Sequence, residues 1–262
     1  MGWKTLINML DLNEKNILIT GASSGIGRAI SIVVGKSSPS NVILCGRDVR
    51  RLEETIQASG FIPDQAKCYR FIGDFSEGHT IPDLVSFIKD LRISLDGIVF
   101  SAGIDKLMPF RFLSEKILSD LLHINTVVPV ETTRQLLKNN LVNPQGSIIF
   151  ISSIMGVVGQ PGQVAYSISK GGLISATKAL ALELSKDKIR VNVITPGIVI
   201  TDLTKKMFDS LTPESVDEIR KMHPLGFGKP EDVANFVSFL LSDQASWITG
   251  STLTIDGGYS AH

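Results

Sequence analysis

Short apolar runs alternate with longer mixed stretches along nearly the whole chain. Seven such runs lie at 16–20, 41–45, 67–72, 96–100, 147–151, 189–194 and 251–255. Most are bounded by glycine, serine, asparagine or proline, and most lack the polar alternation of a half-exposed strand. Runs of this kind predict strands buried on both faces of a parallel sheet. Between them the pattern predicts helices: one ending at Gly35, one capped by Asp48 and running to about Ser59, and one over 82–91. A long helix is expected from a Ser114 cap to about Asn140, another through Tyr166 to about Ser185, and a last one opened by Pro230. Residues 202–223 read as one or two short helices on an insertion. Strand and helix alternate without a break, repeat or low-complexity linker, which predicts an α/β fold. One doubly wound domain over 1–262 is expected, with about seven parallel strands and helices on both faces.

Composition narrows the partners. The 262 residues suffice for one large core, and 26 basic residues balance 26 acidic ones. No basic excess points to nucleic acid. Cys45 and Cys68 lie in apolar runs and read as core residues of a reduced protein. No apolar run is long enough to span a bilayer, and the N-terminal apolar patch is too short and too soon interrupted for a secretory signal. A cytoplasmic protein without a membrane, nucleic-acid or metal partner is the expectation.

In a doubly wound sheet, ligands bind beyond the carboxyl ends of the strands. The unusual clusters fall at such ends. Gly21-Ala-Ser23-Ser24-Gly25-Ile26-Gly27 follows the first strand and opens a helix. Glycines there let the backbone approach a pyrophosphate, and a helix N-terminus offers free N–H groups. The second strand ends Cys45-Gly46-Arg47-Asp48. A guanidinium where a carboxylate would meet the ribose favours a 2′-phosphate, hence NADP(H). NAD(H) stays open through Asp48. Tyr166 and Lys170 are four apart, on one face of a helix, and Ser153 lies thirteen residues upstream of Tyr166 across a Gly/Pro-rich loop.

With these motifs the chain resembles a short-chain dehydrogenase/reductase of the compact type, a single Rossmann domain, over essentially its full length. Thr20-Gly21-x-x-x-Gly25-x-Gly27 is similar to that family's cofactor loop, and Asp74 with Phe75 matches its adenine contact. Ser101-Ala102-Gly103 matches its Asn-Ala-Gly turn, with Ser101 in place of asparagine. Ser153, Tyr166 and Lys170 match the catalytic triad, Asn125 the fourth member, and Pro196-Gly197-x-Val199-x-Thr201 the nicotinamide-binding segment.

The resemblance implies that Tyr166 hands a proton to a carbonyl oxygen, with Lys170 and the oxidised cofactor lowering its pKa. Lys170 would also hold the ribose, and Ser153 the substrate oxygen. Pro129 lacks the N–H that would bond the carbonyl of Asn125, so that carbonyl could hold a water toward Lys170. His123, on the same helix, reads as a surface or packing residue. The 202–223 insertion is expected to close over the substrate, with Met155, Leu203 and Met207 forming an apolar wall.

An NADP-dependent ketone/alcohol oxidoreductase is implied, most similar to the 3-oxoacyl-(acyl carrier protein) reductases, whose substrate is carrier-bound. A sugar or polyol dehydrogenase, and a non-catalytic NADP-binding regulatory protein, remain as alternatives. The family assembles as tetramers, so a homotetramer or homodimer is expected.

Overall fold

The computed structural model describes residues 11–61, 67–209 and 211–261. The N-terminal patch weighed as a signal lies outside the described residues. Seven strands form one all-parallel sheet: β1 (Asn16–Thr20), β2 (Asn41–Gly46), β3 (Lys67–Ile72), β4 (Leu95–Phe100), β5 (Val142–Ile151), β6 (Arg190–Pro196) and β7 (Thr252–Ile255). Their order is β3-β2-β1-β4-β5-β6-β7, so the winding reverses between β1 and β4. Parallel neighbours need crossovers, and helices supply them: α1 (Gly25–Gly35), α2 (Val49–Ser59), α3 (Thr80–Leu91), α4 (Glu115–Leu122), α5 (Val128–Lys138), α6 (Val164–Glu183) and α9 (Pro230–Leu241). Two short helices, α7 (Asp202–Phe208) and α8 (Pro213–Lys221), occupy the region after β6.

The strand period of two sorts the core into two layers. Leu18, Ile43, Ile98, Ile148 and Val193 point to the face covered by α3, α5 and α6. Their neighbours Ile19, Leu44, Val99, Ile149 and Ile194 point to the other, under α1 and α9. All ten are fully buried, and each contributes about 1.5–3 kcal/mol relative to exposure. This is why the strands read as unbroken apolar runs. Both cysteines are free, and burial pushes the Cys68 thiol up to about 12, so neither is a ready nucleophile. Among the described residues no helix is long and apolar enough to cross a membrane.

Two expectations need correction. The helix predicted from Ser114 to Asn140 is not continuous: α4 and α5 flank a π-helical turn at His123–Val127. Pro129 cannot donate, and the register opens so that the Val128 amide reaches the His123 carbonyl, five residues back. β5 begins at Val142, earlier than its apolar run, because Val142 pairs with Leu95 before a register shift between Leu95 and Gly97.

Candidate active site

The carboxyl ends of β1, β2, β3, β4 and β5 open onto one cleft of about 780 Å³. Its floor is the turn between β1 and α1. Gly21 is left-handed (φ 69°), and a Cβ there would lie 2.8 Å from the Ala102 backbone nitrogen. A Cβ on Gly27 would lie 2.2 Å from the Gly21 carbonyl oxygen. Only glycine fits at either position. Thr20 ties this turn to the next one, its hydroxyl accepting from the amides of Ser101 (3.2 Å) and Ala102 (3.3 Å). Ser24 is the N-cap of α1 but makes no side-chain cap bond, and no acidic residue sits in the first turn. The N–H groups there face the cleft uncapped, in a field that favours an anion. A cradle of backbone N–H with no Cβ in the way fits the pyrophosphate of a nicotinamide dinucleotide.

At the mouth, Arg47 reaches across to Asp74 at 3.3 Å, and both line the cleft. Hydrogen bonds from the Ser76 amide and hydroxyl, and from Arg47, hold the Asp74 carboxyl below the usual carboxylate range. Neighbouring cations do not share this place: Arg50 meets Glu54, and Arg51 meets Asp48 and Asp202. Asp48 caps α2, accepting from the Arg51 amide at 3.1 Å.

The far end of the cleft holds Tyr166 and Lys170, one turn apart on α6. Lys170 is 5 % exposed, its Nζ donates to the Ile151 carbonyl at 2.9 Å, and it stands 5.7 Å from the centre of the Tyr166 ring. Burial lowers its pKa from 10.5 to about 8, and the carboxylate of Asp105 works the other way. The two serines after β5 part company. Ser152 is buried and donates to the Lys170 carbonyl at 2.8 Å, a structural bond. Ser153 turns its hydroxyl toward Tyr166 and accepts from the Met155 amide at 3.2 Å.

The chain's own groups act on the phenol in both directions: burial raises the Tyr166 pKa, the Asp105 carboxylate raises it further, and the Ser153 hydrogen bond lowers it. The lowering expected from Lys170 was tied to the oxidised cofactor beside it and belongs to the cofactor-bound protein.

Asn125 is buried in the π turn. Its carboxamide takes the Ile104 amide and gives to the Ile104 carbonyl, both at 2.8 Å, and gives to the Ser169 hydroxyl at 3.0 Å. It therefore clamps the loop after β4 to the helix of Tyr166. Space is tight: a Cβ on Gly103 would lie 3.1 Å from the Asn125 carboxamide oxygen and 3.3 Å from Lys170 Nζ.

The structure thus gathers the glycine turn, Arg47, Asp74, Phe75, Ser101, Ala102, Gly103, Tyr166, Lys170, Thr201 and Leu203 around one cleft. Others expected there lie outside its lining, Ser153 and Asn125 among them, while Ser152 borders it. Pro196 and Val199 are buried, and Gly197 packs on Asp256, where a Cβ would come within 2.8 Å of Cα. Met155 is 9 % exposed, in the 3-10 turn at Ile154–Gly156 that follows Ser153. Met207, on α7, is half-buried and away from the cleft wall. Missed in turn were Lys116, Ser119 and His123, which bring α4 to the cleft. Their spacing of three and four was a readable stripe on one helical face. Asp105 and Gln163, polar positions beside the triad, carried no sequence signal. Among the described residues no group of His, Cys, Asp or Glu is placed to hold a metal ion.

Known proteins agree with this geometry. A family model described as enoyl-(acyl carrier protein) reductase matches residues 21–260. A 3-oxoacyl-(acyl carrier protein) reductase from Rickettsia bellii is 38 % identical over 95 % of this chain and 98 % of its own. A short-chain dehydrogenase/reductase from Serratia marcescens superposes with a TM-score of 0.85 at 28 % identity, covering 95 % of this chain and 99 % of that one. A glucose/ribitol dehydrogenase of the same family from Brucella melitensis gives 0.85 at 28 %, covering 95 % and 98 %. A glycine cradle for a dinucleotide, a Ser–Tyr–Lys centre at its end and full-length relatives of this kind place the chain in the short-chain dehydrogenase/reductase family, as an oxidoreductase acting on carbonyl and alcohol groups.

Proposed function

We propose that the protein is an NADP(H)-dependent reductase of ketones, with a 3-oxoacyl thioester on an acyl carrier protein as its substrate class. The observation that carries this reading is the Ser153 hydroxyl turned to Tyr166, with buried Lys170 one turn further along α6, at the end of a glycine-lined cleft. The relatives named 3-oxoacyl-(acyl carrier protein) reductases supply the acyl thioester.

Gly21, Ser23, Ser24, Gly25, Ile26 and Gly27 would hold the pyrophosphate, Asp74 and Phe75 the adenine, and Ser101 to Gly103 the inner ribose. Arg47 would take the 2′-phosphate, exchanging its bond to Asp74 for a stronger anion. Asp48 is committed to capping α2, which supports NADP(H) over NAD(H). Pro196, Gly197 and Val199 would shape the nicotinamide end through the backbone, and Thr201, which lines the cleft, would reach it directly. When bound, the cofactor supplies the hydride.

The chain's own residues then handle the proton. Ser153 donates to the substrate oxygen and stabilises the charge that develops there. Tyr166 gives its phenolic proton to that oxygen. Lys170 stabilises the phenolate left behind, and Asn125 keeps the Ile104 loop and α6 in register so that these groups stay aligned. The α7 helix, through Leu203 at the cleft, acts as a lid over the substrate, with Met207 behind it. Exposed Val127 and Ile168 on the α4–α6 side, and Trp247 near the last strand, suit a homotetramer.

Consumption of NADPH with a 3-oxobutanoyl thioester is expected, and no turnover across thioesters and simple ketones would sink the reading. A sugar or polyol as substrate is a second reading, supported by the Brucella glucose/ribitol dehydrogenase. Faster oxidation of polyols than reduction of thioesters would select it.

A further inference from the structure

Two polar side chains beside the reaction centre take no part in the scheme above. Asp105 follows Ile104, the residue clamped by Asn125, and Gln163 is the N-cap of α6, one turn before Tyr166. The loops that carry them are tied together, the Met108 amide donating to the Gly162 carbonyl at 3.0 Å. Gln163 is 6 % exposed and its Nε2 donates to Asp105 Oδ2 at 3.3 Å. That leaves Asp105 Oδ1 and Gln163 Oε1 shielded from water with no hydrogen-bond partner.

The pairing fixes what the two free atoms are. Turning the Gln163 amide over would aim its carbonyl at a carboxylate, so Nε2 stays on Asp105 and Oε1 stays free. Both orphans are acceptors, and a shielded acceptor is costly until a donor meets it. They also lie close to the chemistry: Asp105 follows Gly103 and Ile104, which line the cleft at Lys170, and Gln163 precedes Tyr166 by three residues at the start of α6. Ile104 and Tyr166 both line the cleft, and Asp105 and Gln163 stand close to them in the chain, just outside its lining. A carbonyl held by Tyr166 and Ser153 would bring its neighbouring carbon toward these two loops.

We propose that Asp105 and Gln163 form a donor-recognising subsite, and that the preferred ketone carries a hydroxyl or ammonium group on a carbon next to its carbonyl. The subsite rests on the reading of the site as a carbonyl reductase and selects among its substrates. Asp105 is its specificity-determining residue, and Gln163 orients it.

Three esters test this with the whole protein and NADPH: ethyl 3-oxobutanoate, its 4-hydroxy derivative and its 4-amino derivative as the ammonium salt. The readout is the ratio of kcat/KM values, not any single rate. Wild type should favour each donor-bearing ester by about tenfold or more over the plain one, as sites built on hydrogen bonds do. Asp105→Ala should bring both ratios toward one. Asp105→Asn, nearly the same shape, should keep the hydroxyl preference and lose the ammonium preference, and it decides the matter if the alanine variant does not fold. Equal kcat/KM for all three esters in wild type would overturn the subsite while leaving the reductase reading intact. A preference that survives unchanged in Asp105→Asn for the ammonium ester would overturn it too. No turnover of any ester, nor of a 3-oxobutanoyl thioester, would instead remove the reading beneath it.

Discussion

The two ends of the cleft are held by different means. At the cofactor end the shape is made by backbone: Gly21 and Gly27 leave no room for a Cβ, and Thr20 pins the turn to Ala102. At the proton-handling end it is made by side chains that meet from three elements, held to the backbone of a fourth. Ser153 follows β5, Tyr166 and Lys170 ride on α6, and Asn125 sits in the π turn and reaches the loop after β4. A backbone site tolerates change around it and fails at single glycines. A side-chain site spreads its dependence, so loss of one group can spare the fold and still stop the chemistry.

Tyr166→Phe should break the symmetry between the two ends most strongly. It removes the proton donor and leaves the glycine turn untouched. Turnover should fall by about 10²–10⁴-fold, while cofactor binding, followed by fluorescence quenching, stays near wild type. Parallel loss of both would show that the ends are not separable.

Gly27→Ala is the converse, placing a methyl 2.2 Å from the Gly21 carbonyl oxygen. The turn must shift, at about 1–3 kcal/mol or more, and cofactor affinity should drop with stability. Unchanged thermal unfolding and affinity would mean the turn yields freely.

Asn125→Ala tests the clamp between the ends. It orphans the Ile104 amide and carbonyl, at about 1–3 kcal/mol for each group that stays dry. A lower Tm and a lower kcat with little change in KM for cofactor are expected. A variant with wild-type kcat would deny Asn125 its aligning role.

Arg47→Ala is milder, since the guanidinium is mostly exposed. The preference for NADPH over NADH should shrink by about tenfold, the worth of one charge-assisted hydrogen bond. Selectivity unchanged by the substitution would remove Arg47 from 2′-phosphate recognition.

The smallest effect is on pH. The Lys170 pKa is lowered by burial to about 8, so its ammonium is lost as pH rises through that value and reduction should decline there. Because the folded pKa lies below the unfolded one, the folded state gains stability as pH climbs from about 8 toward the unfolded value. A rate that stays flat well above pH 8 would show that the ammonium is retained.

Most of the fold was readable along the chain, because strands buried on both faces must be apolar throughout and their ends must turn. All seven strands cover their predicted runs to within one residue, β5 starting early at Val142, and the glycine turn announces itself because steric exclusion leaves a residue-type signature. The break in the predicted Ser114–Asn140 helix was half readable: Pro129 marks a missing donor, but only packing against Ser169 and Ile104 shows that a π turn answers it. Met155 is an ordinary apolar residue in sequence, and only the fold shows it buried in the short turn that follows Ser153. Asp105 and Gln163 lie 58 residues apart and meet only because two loops close over the same end of the sheet.

The sequence by itself therefore determined the parallel sheet and the edge at which a ligand binds, both from local rules of periodicity and turn chemistry. The Ser–Tyr–Lys centre was legible only when its spacing was joined to the family resemblance. Only the tertiary structure decided that the long helix opens into a π turn, that Asn125 clamps the Ile104 loop to α6, and that Asp105 and Gln163 meet with two shielded acceptors between them. Those outcomes depend on burial and on distances between groups far apart in the chain, which are set when the layers pack.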